Sequence, residues 1–353
     1  MSTRGRILGA AAGAVGLAAA GAALGIRRQS RAIERRSGDD TPFGSLHSPP
    51  VTIIADDGVP LHVEVDELDP GLRQPVSPIT VVFCHGYALN LDCWHFQRAA
   101  YRGLVRSVYY DHRSHGRSGR SAPEHATIDQ LGKDLKTVLD HVVPEGPVVL
   151  VGHSMGGMTI VTLAEQYPEL IGDRVVGVGL ISTTAGGLDP SRIFFPMLPA
   201  KLGSELAGRT VRGLARRHKV VDNARRAGRS VATVVTDLFA FGDEVPAAYV
   251  EFVDRMLSQT PFEVVAEFFP SFHGLDRFHV VEALAPIPTT IICGTADRMT
   301  SIGHSRKLHE WIPSSTLVEC EGAGHLVILE RHGQVNAALD QLLSAATEQV
   351  GQK

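Results

Sequence analysis

The sequence predicts an α/β protein with a mostly parallel, eight-stranded sheet flanked by helices, and three observations carry that prediction. Short apolar runs alternate with segments of helical periodicity along most of the 353 residues. Two of those runs, 79–84 and 147–151, are apolar almost without interruption, as strands covered on both faces must be. One long segment, about 186–280, breaks the alternation with helix-like stretches and no strand signal, and reads as an inserted helical cap.

Taken in order, Val51–Ile54 and Leu61–Val65 flank the turn Asp56-Asp57-Gly58 and form an opening hairpin. Ile79–Cys84 and Val105–Tyr110 are the next strands. Thr127–Val142 places Ile128, Leu131, Leu135, Val138, Leu139 and Val142 at helical spacing, with Thr127 as N-cap. Pro147–Val151 is a strand and Met155–Tyr167 the helix after it. Val175–Ile181 and Thr289–Cys293 are strands, with a helix near Ser301–Trp311. Thr316–Cys320 is the last strand and Val335–Ala345 the last helix. The organisation expected is an apolar anchor with a basic flank (1–40), a linker (41–50), a core (51–185), a cap (186–280) and the rest of the core (281–350).

Composition narrows the function. Hydrophobic residues make up 44% and charged residues 20%, which excludes disorder over most of the length. Net charge is −4, but residues 1–40 hold seven Arg against three acids, so the body is acidic and is not built to bind nucleic acid. Four Cys are too few and too scattered for a disulfide scaffold or a zinc site, and Cys84, Cys293 and Cys320 sit in strand-like runs as reduced core residues.

Ile7–Ile26 is uncharged and built almost wholly of Ala, Gly, Leu, Val and Ile, long enough to span a bilayer. Arg27, Arg28, Arg31, Arg35 and Arg36 follow it at once, which disfavours a cleaved secretory signal and places the body on the cytoplasmic side. A membrane tether is the expectation; a cleaved signal and a low-complexity tail are the alternatives. Gly9/Gly13 and Gly21/Gly25 would let two such helices approach closely.

The chemistry begins at Gly152-His153-Ser154-Met155-Gly156, a G-x-S-x-G between an apolar strand and a helix. That context puts Ser154 on a tight elbow above the sheet edge. A serine hydroxyl needs a base, and the base an acid to hold its tautomer. Strand Thr289–Cys293 ends in Gly294-Thr-Ala-Asp297, and strand Thr316–Cys320 ends in Glu321-Gly-Ala-Gly-His325. Ser154, Asp297 and His325 thus all fall at the carboxyl ends of strands, where chemistry gathers in open α/β sheets. Another acid, Asp189, lies just past the sixth strand. The backbone amides of Tyr87 and Met155 are the expected oxyanion donors. No metal or cofactor is needed, and a metal at His112 and His115 lacks suitably spaced partners.

These residues bring out a resemblance to the α/β-hydrolase fold superfamily over roughly residues 50–350. It rests on His85-Gly86, Asp111-His-Arg113-Ser-His-Gly116-Arg-Ser118, Gly152-His-Ser-Met-Gly-Gly157, Asp297 and Gly324-His325. The resemblance implies the triad roles for Ser154, Asp297 and His325, with Asp189 as the substitute acid, since the acid sits after that strand in some members of the fold. Ser114 departs from the Gly usual in that loop, and a Ser at the elbow disfavours the epoxide hydrolases and dehalogenases, which carry Asp there. The expected activity is hydrolysis of a small-molecule carboxylic ester or lipid with an apolar acyl group. Thioesterase, C–C hydrolase, haloperoxidase-like and peptidase chemistry are alternatives, with Glu244, Glu251 and Glu263 as amine-binding candidates for the last; so is a ligand-binding protein without turnover.

Ten of the thirteen Phe, among them Phe194, Phe195, Phe239, Phe241, Phe268 and Phe269, lie in the cap segment. They are expected either to form its own core or to line a pocket over Ser154. Eight basic residues between Arg209 and Arg229, against Asp222 alone, read as a solvated face or a contact with anionic lipid.

Overall fold

The computed structural model describes residues 25–71, 77–188 and 229–352, and Gly213 besides. The apolar stretch up to residue 24, Asp189, Phe194, Phe195 and the basic run short of Arg229 lie outside the described residues. Among the described residues no helix is long and apolar enough to cross a membrane.

Eight strands form one sheet: β1 (Pro50–Ile54), β2 (Pro60–Asp66), β3 (Thr80–Cys84), β4 (Ser107–Tyr110), β5 (Val148–His153), β6 (Val175–Ile181), β7 (Thr289–Gly294) and β8 (Thr316–Cys320). Their order is β1-β2-β4-β3-β5-β6-β7-β8. β2 pairs antiparallel with β1 and β4, and the other neighbours are parallel. β3, β5 and β6 are buried along their whole length, which is why their sequences are apolar runs rather than alternations. The fourth strand starts at Ser107 rather than Val105, whose amide instead closes a turn on the Tyr101 carbonyl.

The helices are α1 (25–34), α2 (His95–Tyr101), α3 (Ile128–Val142), α4 (Met155–Gln166), α5 (Arg229–Ala240), α6 (Ala247–Gln259), α7 (Phe262–Phe268), α8 (Ile302–Trp311) and α9 (His332–Gly351). Thr127 caps α3 as its sequence implies, its hydroxyl accepting from the Gln130 amide at 3.1 Å. Side chains alternate across the sheet. Val81, Phe83, Val149 and Val151 face one apolar layer that includes Leu339 and Leu342 of α9. Val82, Cys84, Val148 and Leu150 face the other, with Leu135 and Leu139 of α3 and Ile160 of α4. All four Cys are buried and unpaired by disulfides. The last helix outruns the apolar stretch that announces it, because good helix formers such as Ala, Glu and Gln flank Val335–Ala345.

Between β6 and β7 the described chain is helical, and its phenylalanines do not gather into one core of their own. Phe241 and Phe252 join the first layer and Phe278 the second. Phe268 and Phe272 form a third cluster with Met155 and Met158 at the start of α4, against which Tyr87 and Leu188 pack.

Residues 33–48 bind this helical region to the core. Ile33 is buried, and the Arg36 guanidinium meets Asp237 of α5 at 2.6 and 3.3 Å. Phe43 stacks on Phe252 of α6 at 4.7 Å and meets Phe96 of α2 edge-on at 5.5 Å. Ser48 donates its amide to Glu64 and its hydroxyl to Asp66. Phe43 and Ser48, which fall in the segment 41–50 expected as a linker, thus pack on cap helix α6 and bond to β2.

Candidate active site

β5 runs straight into Ser154, whose backbone sits at φ 53°, ψ −116°, before α4 begins at Met155. A non-glycine residue pays for a positive φ, so the surroundings must hold it there. They do so through backbone and contact. The Ser154 amide donates to the Ile181 carbonyl at 2.9 Å, and its carbonyl accepts from the Thr183 hydroxyl at 2.6 Å. A Cβ on Gly152 would lie 2.5 Å from the Gly156 backbone, and one on Gly156 would lie 2.0 Å from the Cys84 carbonyl oxygen. Helix and strand pack this closely only because those two positions carry no side chain.

Asp297 lies in the loop after β7 and is almost fully buried. Its Oδ1 accepts from the amides of Met299 (2.8 Å) and Thr300 (3.0 Å), and the Thr300 hydroxyl lies 2.9 Å from Oδ2. Burial pushes the carboxyl pKa up, but the facing His325, through its charge and its hydrogen bond, and these donors together outweigh that. The group is held below its ordinary value.

His325 follows β8 and joins the other two. Its Nδ1 lies 2.9 Å from Asp297 Oδ2, and its Nε2 lies 3.0 Å from Ser154 Oγ. With an ionised carboxylate at Nδ1, the hydrogen sits there, and Nε2 is the acceptor for the serine hydroxyl. The structure thus brings Ser154, His325 and Asp297 into one line, while Asp189 lies outside the described residues.

The loop after β3 passes over Ser154's helix. His85 Nδ1 donates to the Gly86 carbonyl at 2.8 Å, and Nε2 accepts from the His112 amide at 2.9 Å. Among the described residues no internal acceptor takes the amides of Tyr87 or Met155, and α4's first amides point out of the helix end as such groups do. The Tyr87 hydroxyl donates to the Val265 carbonyl, and its ring meets Phe272 edge-on at 4.9 Å.

The neighbouring histidines are buried and neutral. Burial pushes His112 down to about 3 and His115 down to about 4, and each ring nitrogen that is paired meets a backbone carbonyl. Among the described residues no three metal-ligating side chains converge. Ser114 occupies the left-handed region at φ 63°, where Gly is usual. Its hydroxyl accepts from the Ser121 amide at 2.9 Å and so stabilises the turn. Sequence reasoning missed Thr300, although a Thr three residues after Asp297 is a local turn signal. It also missed the bond from His153 Nε2 to the His325 carbonyl at 2.9 Å, for which no sequence signal exists.

The arrangement can do one thing well: lower the barrier to removing the Ser154 proton while holding the resulting imidazolium against a carboxylate. Comparison with known proteins agrees with the fold. The chain is 28% identical over 260 residues to an uncharacterised protein of Mycobacterium tuberculosis, covering 69% of each. It is 27% identical over 264 residues to a 3-oxoadipate enol-lactonase of Acinetobacter baylyi, covering 74% of this chain and 88% of that one. The solved structure of a thermophilic esterase from Thermogutta terrifontis superposes with a TM-score of 0.66 at 24% identity, over 85% of this chain and all of that one. The family model described as "Alpha/beta hydrolase family" matches residues 81–338, about three quarters of the sequence, and the chain belongs to that family.

Proposed function

We propose that the protein is a serine hydrolase of carboxylic esters. The observation that carries the reading is the unbroken line Asp297–His325–Ser154, at 2.9 and 3.0 Å, on a serine held at positive φ. In this reading Ser154 Oγ attacks the ester carbonyl as His325 Nε2 takes its proton. Asp297 keeps the imidazole in the tautomer that leaves Nε2 open and stabilises the imidazolium. The amides of Tyr87 and Met155 hold the oxyanion, and losing one such donor typically costs about 10²–10³ in rate. His325 then protonates the leaving alkoxide, and water, activated by the same nitrogen, releases the acyl group. The chemistry asks for no metal or organic cofactor.

An apolar acyl group is supported by the apolar side chains that gather at the start of the helix after Ser154, where Met155 and Met158 cluster with Phe268 and Phe272 and Tyr87 packs against them. The relative named as an enol-lactonase acts, by that name, on a cyclic ester, which supports an ester over a thioester, a carbon–carbon bond or a peptide. For the N-terminus, the 20-residue apolar stretch and the five arginines after it support a membrane tether with the body on the cytoplasmic side.

The test is hydrolysis of nitrophenyl esters from acetyl to palmitoyl by the full chain in detergent, beside Ser154→Ala. Turnover that the substitution abolishes, with a preference for medium or long chains, is the expected result. Turnover unchanged in Ser154→Ala contradicts the reading.

A further inference from the structure

The His325 loop is held by a group that lies outside the line of three. The Glu330 side chain, in the helical turn Val327–Glu330, is wholly buried. Its Oε2 accepts from the amides of Gly324 (2.7 Å) and Gly242 (3.1 Å), and its Oε1 from the amide of Asp243 (2.8 Å). Gly324 is the residue before His325, and Gly242 and Asp243 form the link between cap helices α5 and α6. One carboxylate therefore fastens the cap to the loop that carries the imidazole.

The two segments touch closely enough to demand it. A Cβ on Gly324 would lie 2.5 Å from the Gly242 nitrogen, and one on Gly242 would lie 2.0 Å from the Gly322 oxygen. The Leu326 amide donates to the Ala240 carbonyl at 2.8 Å, on the far side of His325. Three backbone donors aimed at one ionised group make charge-assisted bonds, shorter and stronger than neutral ones. A cation is nearby but not in charge of the site: Arg331 Nη1 stands 3.8 Å from Glu330, while Arg331 Nη2 pairs with Asp243.

We propose that Glu330 is a positioning residue for His325, coupling the alignment of the base to the seating of the cap. The proposal rests on the reading of His325 as the base of an ester hydrolase. Glu330 touches no reacting atom. It acts by setting the backbone from which the imidazole projects, and displacement of such a group by about 1 Å can cost on the order of 10² in rate.

The test uses the full chain and Glu330→Gln, which puts an amide N–H where a backbone N–H needs an acceptor. Two esters of butyric acid are compared, one with nitrophenol and one with ethanol, and rates are normalised to sites labelled by a fluorophosphonate. Nitrophenolate leaves without a proton, whereas ethoxide must take one from His325, so a misaimed imidazole harms the ethyl ester more. The expected result is a kcat roughly 30-fold lower on the nitrophenyl ester and lower by a further factor of about 5 on the ethyl ester, with KM changed by less than about 3-fold. A purely structural loss would reduce the number of active sites and leave the rate per site unchanged. Glu330→Asp, which keeps the charge but shortens the reach, is the second variant should the first not fold, and it predicts the same unequal loss at smaller size. Variants matching wild type per site, or losing equally on both esters, overturn the proposal alone. A wild-type chain that hydrolyses neither ester and leaves Ser154 unlabelled overturns the reading beneath it instead.

Discussion

Ser154 and His325 meet across 3.0 Å, yet the loops that deliver them are built in opposite ways. The elbow at Ser154 is announced by what lies next to it in the chain, a fully buried strand before, a helix after and glycines at 152 and 156, and the neighbouring chain closes on it at Ile181, Thr183 and Cys84. The His325 loop has its own glycines at 322 and 324, but its anchors come from far off. Ala240, Gly242 and Asp243 hold it from the cap, His153 from the elbow and Asp297 from the strand beside it. The elbow is held within the sheet, where β3, β5 and β6 end beside it. The His325 loop is held by the cap as well, so its position answers to how the cap is assembled.

Substitutions on the two sides should therefore fail differently. The largest effect is expected at Asp297→Asn, where the imidazole loses the partner that sets its tautomer; kcat for ester hydrolysis should fall by about 10⁴ at neutral pH, read by steady-state kinetics. The same variant bears on acid stability. The Asp297 carboxyl is held below its ordinary value in the fold, so its stabilisation is complete above the unfolded value near pH 4 and is lost as pH falls through the lower, folded value. Asp297→Asn should flatten that acid limb in denaturant titrations taken between neutral and acid pH.

Next comes Gly156→Ala. A methyl group 2.0 Å from the Cys84 carbonyl has nowhere to go, and chemical denaturation should show a loss of about 3 kcal/mol or more, with fluorophosphonate labelling of Ser154 falling alongside. On the histidine side, His153→Phe keeps the ring's bulk and removes the hydrogen bond to the His325 carbonyl. It should cost about 1–3 kcal/mol, because a buried acceptor is left unpaired, and should lower kcat more than it raises KM. The smallest effect belongs to Arg36→Ala, which breaks the partly exposed pair with Asp237. About 1 kcal/mol or less is expected in thermal unfolding, with kcat unchanged, since neither loop touches Arg36. A kcat loss there as large as that at His153 would mean that the N-terminal strap steers the base too.

The same contrast explains what could be read from the sequence. Gly152–Gly156, the buried strands and the order Ser154, Asp297, His325 are local signals, written in neighbours along the chain, and each was legible there. Glu330 was not: a glutamate five residues after His325, at the edge of an apolar run, reads as a surface acid until two distant amides, of Gly242 and Asp243, are seen around it beside that of Gly324. Residues 41–50 read as a linker from their Pro, Gly and Ser content, but Phe43 finds Phe252 and Phe96 at separations no pattern in the sequence reports. Five of the described cap phenylalanines divide among three apolar clusters for the same reason, since pairing partners across long separations are set by packing and leave no periodic trace. The central strands β3, β5 and β6 were legible because burial on both faces forces an apolar run whatever the neighbours are, and β1 and β2 because a turn signal lies between them.

The central claim, that His325 draws the proton from Ser154, is tested most directly by intact-mass spectrometry of the full chain treated with a fluorophosphonate, beside Ser154→Ala and His325→Gln. The account predicts a single adduct on Ser154 in the wild type, none in Ser154→Ala, and labelling slowed by at least about 10³ in a folded His325→Gln. Labelling of His325→Gln at the wild-type rate, or an unlabelled and folded wild-type chain, would contradict it.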